Sequence, residues 1–137
     1  MKQSCITVLL VDDFVEFRAI VSRLLRNKPE LQIVAEASDG IEAVEKSRQL
    51  QPDLILLDIS LPKLNGIEAA QQIREVAPQS KIIFVTQETS ADIAKEALGL
   101  GAVAYVVKGK VPAELLKAID LGLEGKQFIG SGLTGNP

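Results

Sequence analysis

Five times along the chain, a short run of consecutive apolar residues is followed by a longer segment in which apolar residues recur every three or four positions. The runs are ITVLLV (6–11), LQIVAEA (31–37), LILLD (54–58), KIIFVT (81–86) and VAYVV (103–107), rich in the Val, Ile and Leu that favour strands. Because the apolar positions are successive rather than alternate, these runs read as strands covered on both faces. The segments between them have helical period and begin near Phe14, Gly40, Gly66, Ala91 and Pro112. In the first, Phe17, Ile20 or Val21, and Leu24 make the inward stripe, leaving Glu16, Arg23 and Arg26 to solvent. Signals at the ends agree. Asp39 with Glu42 and Thr89 with Asp92 have capping-box spacing, Pro112 suits a first turn, and Pro29, Pro52 and Pro78 stop what precedes them.

Five repeats of strand then helix predict an α/β fold with a parallel sheet and right-handed crossovers. The common small solution is the doubly wound, flavodoxin-like order 2-1-3-4-5. In that order the first and third strands are neighbours, and ligands bind beyond the carboxyl ends of the strands where the winding reverses. A site is therefore expected at Asp12, Asp13 and the end of the third strand. The last 13 residues, GKQFIGSGLTGNP, hold four glycines and neither period, so residues 1–125 read as the domain and 126–137 as a linker or disordered tail.

Composition narrows the class. A chain of 137 residues, 47% of them apolar, suits one domain that buries roughly 70% of its unfolded surface. The single cysteine excludes an internal disulfide, and Cys5 is expected as a small core residue in a reducing compartment. The N-terminal apolar run stops after six residues, too short for a signal peptide, and no membrane segment is expected, which together suggest a cytoplasmic protein. A net charge of -3 and a pI near 5.0 leave no basic footprint, so this chain alone is not expected to bind nucleic acid.

The chemistry begins at TVLLVDDF, where a buried strand ends in two adjacent carboxylates. One Asp is commonly an N-cap, and Asp13, just before the helical run, suits that role. Asp12 beside it adds a repulsion that a cap does not need, so the pair asks for a cation. Asp58 closes the third strand, and a strand spacing of about 4.8 Å puts it within roughly 5 Å of the pair. At an effective dielectric of 20, two such charges repel by about 3 kcal/mol. Three carboxylates raise one another's pKa unless a divalent cation neutralises them, and a donor set of oxygens alone points to Mg²⁺. The fourth and fifth strands end in Thr86 and Lys108, and a lysine stem is long enough to reach Asp58 from about 10 Å away. A carboxylate flanked by Mg²⁺, an ammonium and a hydroxyl suits phosphoryl transfer onto aspartate. Each residue alone also has a plainer reading, such as a strand end for Thr86, a surface charge for Lys108, a strand aromatic for Tyr105 and an N-cap for Asp58.

Taken in order, VDD at 11–13, DISLP at 58–62 followed by NG at 65–66, Thr86 after an apolar strand, and YVVK at 105–108 resemble the receiver domain of bacterial two-component response regulators. The likeness runs from about residue 6 to residue 125. It implies that Asp58 is the phosphoacceptor, that Asp12, Asp13 and the main-chain carbonyl of Ser60 join Asp58 in holding Mg²⁺, and that Lys108 and Thr86 contact phosphoryl oxygens. Tyr105 would be the switch aromatic that turns inward as Thr86 moves toward the phosphate. The output face would be the fourth helix, fifth strand and fifth helix, about residues 90–125, with a homodimer through helices 4 and 5 possible. The tail resembles the joint that leads to a helix-turn-helix DNA-binding domain in some regulators. Family donors are phosphohistidines on a sensor kinase or phosphotransfer protein, and this chain contains no His. The implied role is that of a signalling phosphoacceptor controlling an output such as transcription, not a turnover enzyme. Gln87 and Gly109 depart from the usual family residues.

Three rivals share parts of the pattern. An aspartyl phosphatase of the haloacid dehalogenase type wants a second Asp two residues after the first, where this chain has Ser60. A flavin-binding module wants a Ser, Thr and Gly-rich first loop, where DDF would repel a phosphate. A receiver that acts only as a docking domain would share the fold, and the intact acidic and lysine set argues against it.

Overall fold

The computed structural model describes residues 5–135. Its elements are β1 (Ile6–Val11), α1 (Val15–Leu25), β2 (Leu31–Ala37), α2 (Gly40–Leu50), β3 (Leu54–Leu57), α3 (Gly66–Val76), β4 (Lys81–Thr86), α4 (Ala91–Gly99), β5 (Ala104–Val107), α5 (Val111–Leu123) and β6 (Phe128–Ile129). The strands pair in parallel in the order β2-β1-β3-β4-β5-β6. The first five follow the predicted doubly wound order, and the sixth extends it.

Alternation along the strands divides the consecutive apolar runs between two cores. Leu9, Val11, Ile55, Leu57, Phe84 and Tyr105 face α2, α3 and α4, where Ala43, Ala69, Ile73, Ala94 and Ala97 meet them. Val8, Leu10, Leu54, Leu56, Ile83, Val85 and Val106 face α1 and α5, against Val21, Leu25, Leu115, Ala118 and Ile119. The edge strand β2 departs from the two-sided expectation, since its residues are half-buried and exposed in turn. An edge strand lacks a neighbour on one side, and Gln32, Val34 and Glu36 face outward.

Three local expectations are corrected. The tail expected to be a linker or disordered carries β6, because its main chain finds partners along the β5 edge. Phe128 N donates to Val103 O at 2.9 Å and Gly130 N to Tyr105 O at 2.8 Å. Beyond a left-handed Gly132 at φ 87°, Thr134 N donates to Thr89 O at 2.7 Å and Ala91 N to Thr134 O at 2.8 Å. Residues 136–137 of that expectation lie outside the described residues. The cap of α4 is Ser90 rather than Thr89, its hydroxyl accepting from Ile93 N at 3.3 Å, while Thr89 faces Thr134 instead. Of the two alternatives offered for α1, Val21 faces inward, with Leu25, and Ile20 is exposed. Cys5 is exposed just ahead of β1, its thiol on Gln32 Oε1 at 2.9 Å, because the strand's burial begins only further along. The Asp39 and Glu42 capping box holds, with Glu42 N on Asp39 Oδ1 and Ser38 N on Glu42 Oε1, both at 2.8 Å.

Close packing beside the carboxyl edge of the sheet fixes where β3 ends. Gly66 N donates to Ile59 O at 2.7 Å, and a Cβ on Gly66 would stand 2.0 Å from Asp58 O and 2.6 Å from Ile59 Cα. Those obstacles are backbone, so Gly66→Ala should lower stability by about 1–3 kcal/mol in urea unfolding. Gly109→Ala, whose Cβ would meet nothing within 4 Å, should change it little. Equal midpoints for the two variants would show that the β3–α3 turn yields without cost.

Candidate functional site

Strand register sets the heights of the polar residues. Val11 pairs with Leu57 across β1 and β3, so Asp12 and Asp58 follow at the same level on neighbouring strands. Leu57 pairs with Phe84, and Thr86 with Val107, so Thr86 stands one residue above Asp58 and Lys108 one residue higher again. The site is a staircase rising from β1 toward β5, and only a long side chain descends it. Lys108 does so. Its ammonium lies 2.8 Å from Asp12 Oδ2 and 3.2 Å from Asp58 Oδ2. The sequence expectation of a reach to Asp58 is met, and the contact with Asp12 extends it.

Both carboxylates are almost fully enclosed, Asp12 at 1% and Asp58 at 3% exposure, whereas Asp13 is exposed. Asp12 Oδ1 accepts from Phe14 N at 2.9 Å, and Asp58 Oδ1 accepts from Ser60 N at 3.3 Å. Burial pushes the Asp12 carboxyl above its ordinary value, against the opposing bonds from Lys108 and Phe14 N and with the Asp58 charge adding to the rise. Burial pulls Lys108 down, but its bond to Asp12 and the charges of Asp58 and Asp12 outweigh that and hold the ammonium protonated above its usual range. Asp12, Asp13 and Asp58 each offer an oxygen within 4.8 Å of the others. Three hard oxygen donors at one edge, with no nitrogen or sulfur among them, fit a small divalent cation such as Mg²⁺. Asp13 is therefore not the N-cap of α1; Phe14 occupies that position and makes no side-chain cap bond.

Thr86 and Tyr105 form a second cluster beside the acids. The Thr86 hydroxyl accepts from Glu88 N at 3.3 Å, and the Tyr105 hydroxyl donates to Glu88 O at 2.9 Å. Both side chains are buried, and the Tyr105 ring tilts against Phe84 with centroids 6.2 Å apart. Burial raises the Tyr105 hydroxyl far above its ordinary value, with the charges of Glu88 and Asp58 adding to it. The plainer alternative, a simple strand aromatic, does not describe it: the ring is buried and its hydroxyl is tied to the β4–α4 loop. Gln87 sits exposed on that loop, and Ser60 is exposed on the loop after β3. Sequence reasoning missed the Glu88 main chain as a shared partner, because a backbone group carries no residue signature. It also placed Phe17 only in the core; here the Phe14 and Phe17 rings both face the Lys108 ammonium.

Among the described residues, no helix is long and apolar enough to cross a membrane. Residues 8–120 match the family described as the response regulator receiver domain. The chain is 34% identical to the nitrate/nitrite response regulator protein NarL of Escherichia coli K12 over 133 residues, 97% of this chain and 62% of that protein. It is 42% identical over 110 residues to a protein-glutamate methylesterase/protein-glutamine glutaminase of Thermotoga maritima, covering 79% of this chain and 32% of the relative. The chain thus spans less than two thirds of these relatives. A crystal structure of a LuxR-family two-component response regulator from Aurantimonas sp. SI85-9A1 superposes with a TM-score of 0.86 at 36% identity, over 91% of this chain and 89% of that one. With the acids and the lysine in the matched span, the chain belongs to the response regulator receiver domain family.

Proposed function

We propose that Asp58 accepts a phosphoryl group from a phosphohistidine donor and that Thr86 and Tyr105 convert this event into a changed α4-β5-α5 face. The observation that carries the reading is the Lys108 ammonium 3.2 Å from Asp58 Oδ2 inside the group of three carboxylates. Asp12, Asp13 and Asp58, with the main-chain carbonyl of Ser60, are the residues that would hold Mg²⁺, which when bound supplies positive charge to the phosphoryl oxygens. In the transfer an Asp58 oxygen forms the bond to phosphorus while the bond between phosphorus and the donor nitrogen breaks, and the donor ring, protonated on its other nitrogen beforehand, leaves as a neutral imidazole. Lys108 steadies one phosphoryl oxygen and Thr86 donates to another. Since the chain has no His, the donor is a separate partner, a sensor histidine kinase or phosphotransfer protein.

Thr86 turning from Glu88 N toward a phosphoryl oxygen would draw on the loop that also receives the Tyr105 hydroxyl. Phosphorylation shifts the balance of two arrangements only by its different interaction with each. The output reading, control of transcription in the cytoplasm through a longer regulator and a homodimer at helices α4 and α5, is supported by the likeness to NarL. The role is stoichiometric acceptance, with the domain assisting only its own phosphorylation and dephosphorylation.

Incubated with Mg²⁺ and acetyl phosphate, the protein should gain the mass of one phosphoryl group, and Asp58→Asn or EDTA should abolish the gain. An equal gain in Asp58→Asn would assign the acceptor elsewhere. The raised Asp12 carboxyl has a consequence for stability. A folded pKa above the ordinary 3.8 means that its contribution is fully present below that value and is lost as pH rises through the raised one. In EDTA, Asp12→Asn should therefore become progressively more stable relative to wild type as pH rises above about 4. A constant difference in urea midpoint across that range would mean that Asp12 titrates at its ordinary value.

A further inference from the structure

Phe14 stands at the N-cap of α1 with extended backbone at φ -95° and ψ 112°, and it makes no side-chain cap bond. Ser, Thr, Asp or Asn would satisfy an orphan amide at this position, and a phenylalanine forfeits that bond. Its ring is 55% exposed, so core burial does not account for it either. What the ring faces is the Lys108 ammonium, 5.3 Å from its centroid. Phe17, one turn along α1, faces the same ammonium at 4.5 Å.

The Lys108 side chain is 9% exposed and bonded to two carboxylates. The Phe14 and Phe17 rings add to its surroundings, each presenting a face to the ammonium. We propose that Phe14 and Phe17 are positioning residues that hold the Lys108 ammonium over Asp58 for phosphoryl transfer, an inference that rests on Asp58 being the acceptor. The lysine stem starts two residues above the level of Asp58 on β5 and has four flexible bonds, and when a carboxylate contact is given up to a cation or to phosphorus its tip needs another restraint. The rings come from the opposite side of the site, on the segment that follows the Asp12 and Asp13 pair. They restrain the ammonium without occupying a carboxylate oxygen, which leaves the oxygens of Asp12 and Asp58 available for a cation and for phosphorus. An aliphatic side chain at position 14 would cover the stem but would not attract the charge.

That difference supplies the test. Wild type, Phe14→Leu and Phe14→Tyr are compared in the full chain by the rate of phosphoryl gain at saturating acetyl phosphate with Mg²⁺, and by the ¹⁵N-resolved Lys108 ammonium signal in metal-free protein. Phe14→Leu should slow phosphorylation about fivefold and speed exchange of the ammonium protons, and Phe14→Tyr should restore both. All three proteins should share one urea midpoint, since the ring is largely in solvent. Equal rates in the Leu and Tyr variants, whether both slow or both normal, would overturn the proposal. If wild type gains no phosphoryl group, the acceptor reading fails instead, and an unchanged ammonium signal in Phe14→Leu would independently refute the aromatic hold on Lys108.

Discussion

One ammonium shared by two enclosed carboxylates governs the carboxyl edge of this sheet. Lys108 enters from β5, crosses above β4 and meets Asp58 and Asp12 on the adjacent strands β3 and β1. Without it, two nearly buried acids at the same register level would face each other uncompensated, an arrangement of the kind whose disruption costs about 3–5 kcal/mol in protein interiors. The strand order makes the meeting possible. Reversal of the winding between β1 and β3 leaves no helix over this end of the sheet, so the acids look into a crevice rather than into packed side chains.

The arrangement stores a deliberate imbalance. Two buried carboxylates and one ammonium leave a net negative charge, and the exposed Asp13 adds to it. Burial already holds Asp12 above its ordinary pKa, so its ionised form is carried at a cost to the fold. A core selected for stability alone would have placed apolar residues here. Such a local loss is of the kind folded proteins keep at functional sites, and the three clustered oxygen donors suit the divalent cation proposed for this edge.

How much of this was legible in the chain follows from the length scale of each signal. The five strands and the acids at their ends were readable because each rests on several residues of one type in succession, and because parallel pairing sends strand ends of like polarity to one edge. The α4 cap was misplaced by one residue, since Thr89 and Ser90 both carry a hydroxyl and only the chain path tells which one faces Ile93 N. Strand β6 was not readable, because two residues hold no period and its bonds are main chain to main chain. Tyr105 was legible as a position and not as a contact. The apolar partner Phe84 and the acceptor at Glu88 O come from separate elements, and only the fold brings them together.

The unforeseen tail and the residues of the proposed switch meet at one loop. Tyr105 holds Glu88 O through its hydroxyl and receives Gly130 N on its own carbonyl. Thr89, the next residue of the loop, accepts from Thr134 N, and Ala91 at the start of α4 donates back to Thr134. The segment 128–134 is thus tied to Tyr105 at one end and to the β4–α4 loop at the other. Any displacement of Thr86 that draws residues 87–90 with it must either carry this strap along or break two main-chain hydrogen bonds. Each such bond is worth about 1 kcal/mol net, comparable to the differences that decide between two arrangements of a receiver. Under the proposed switch, the tail would therefore move with the β4–α4 loop or resist its movement, because its main-chain bonds join Thr134 to both Thr89 and Ala91.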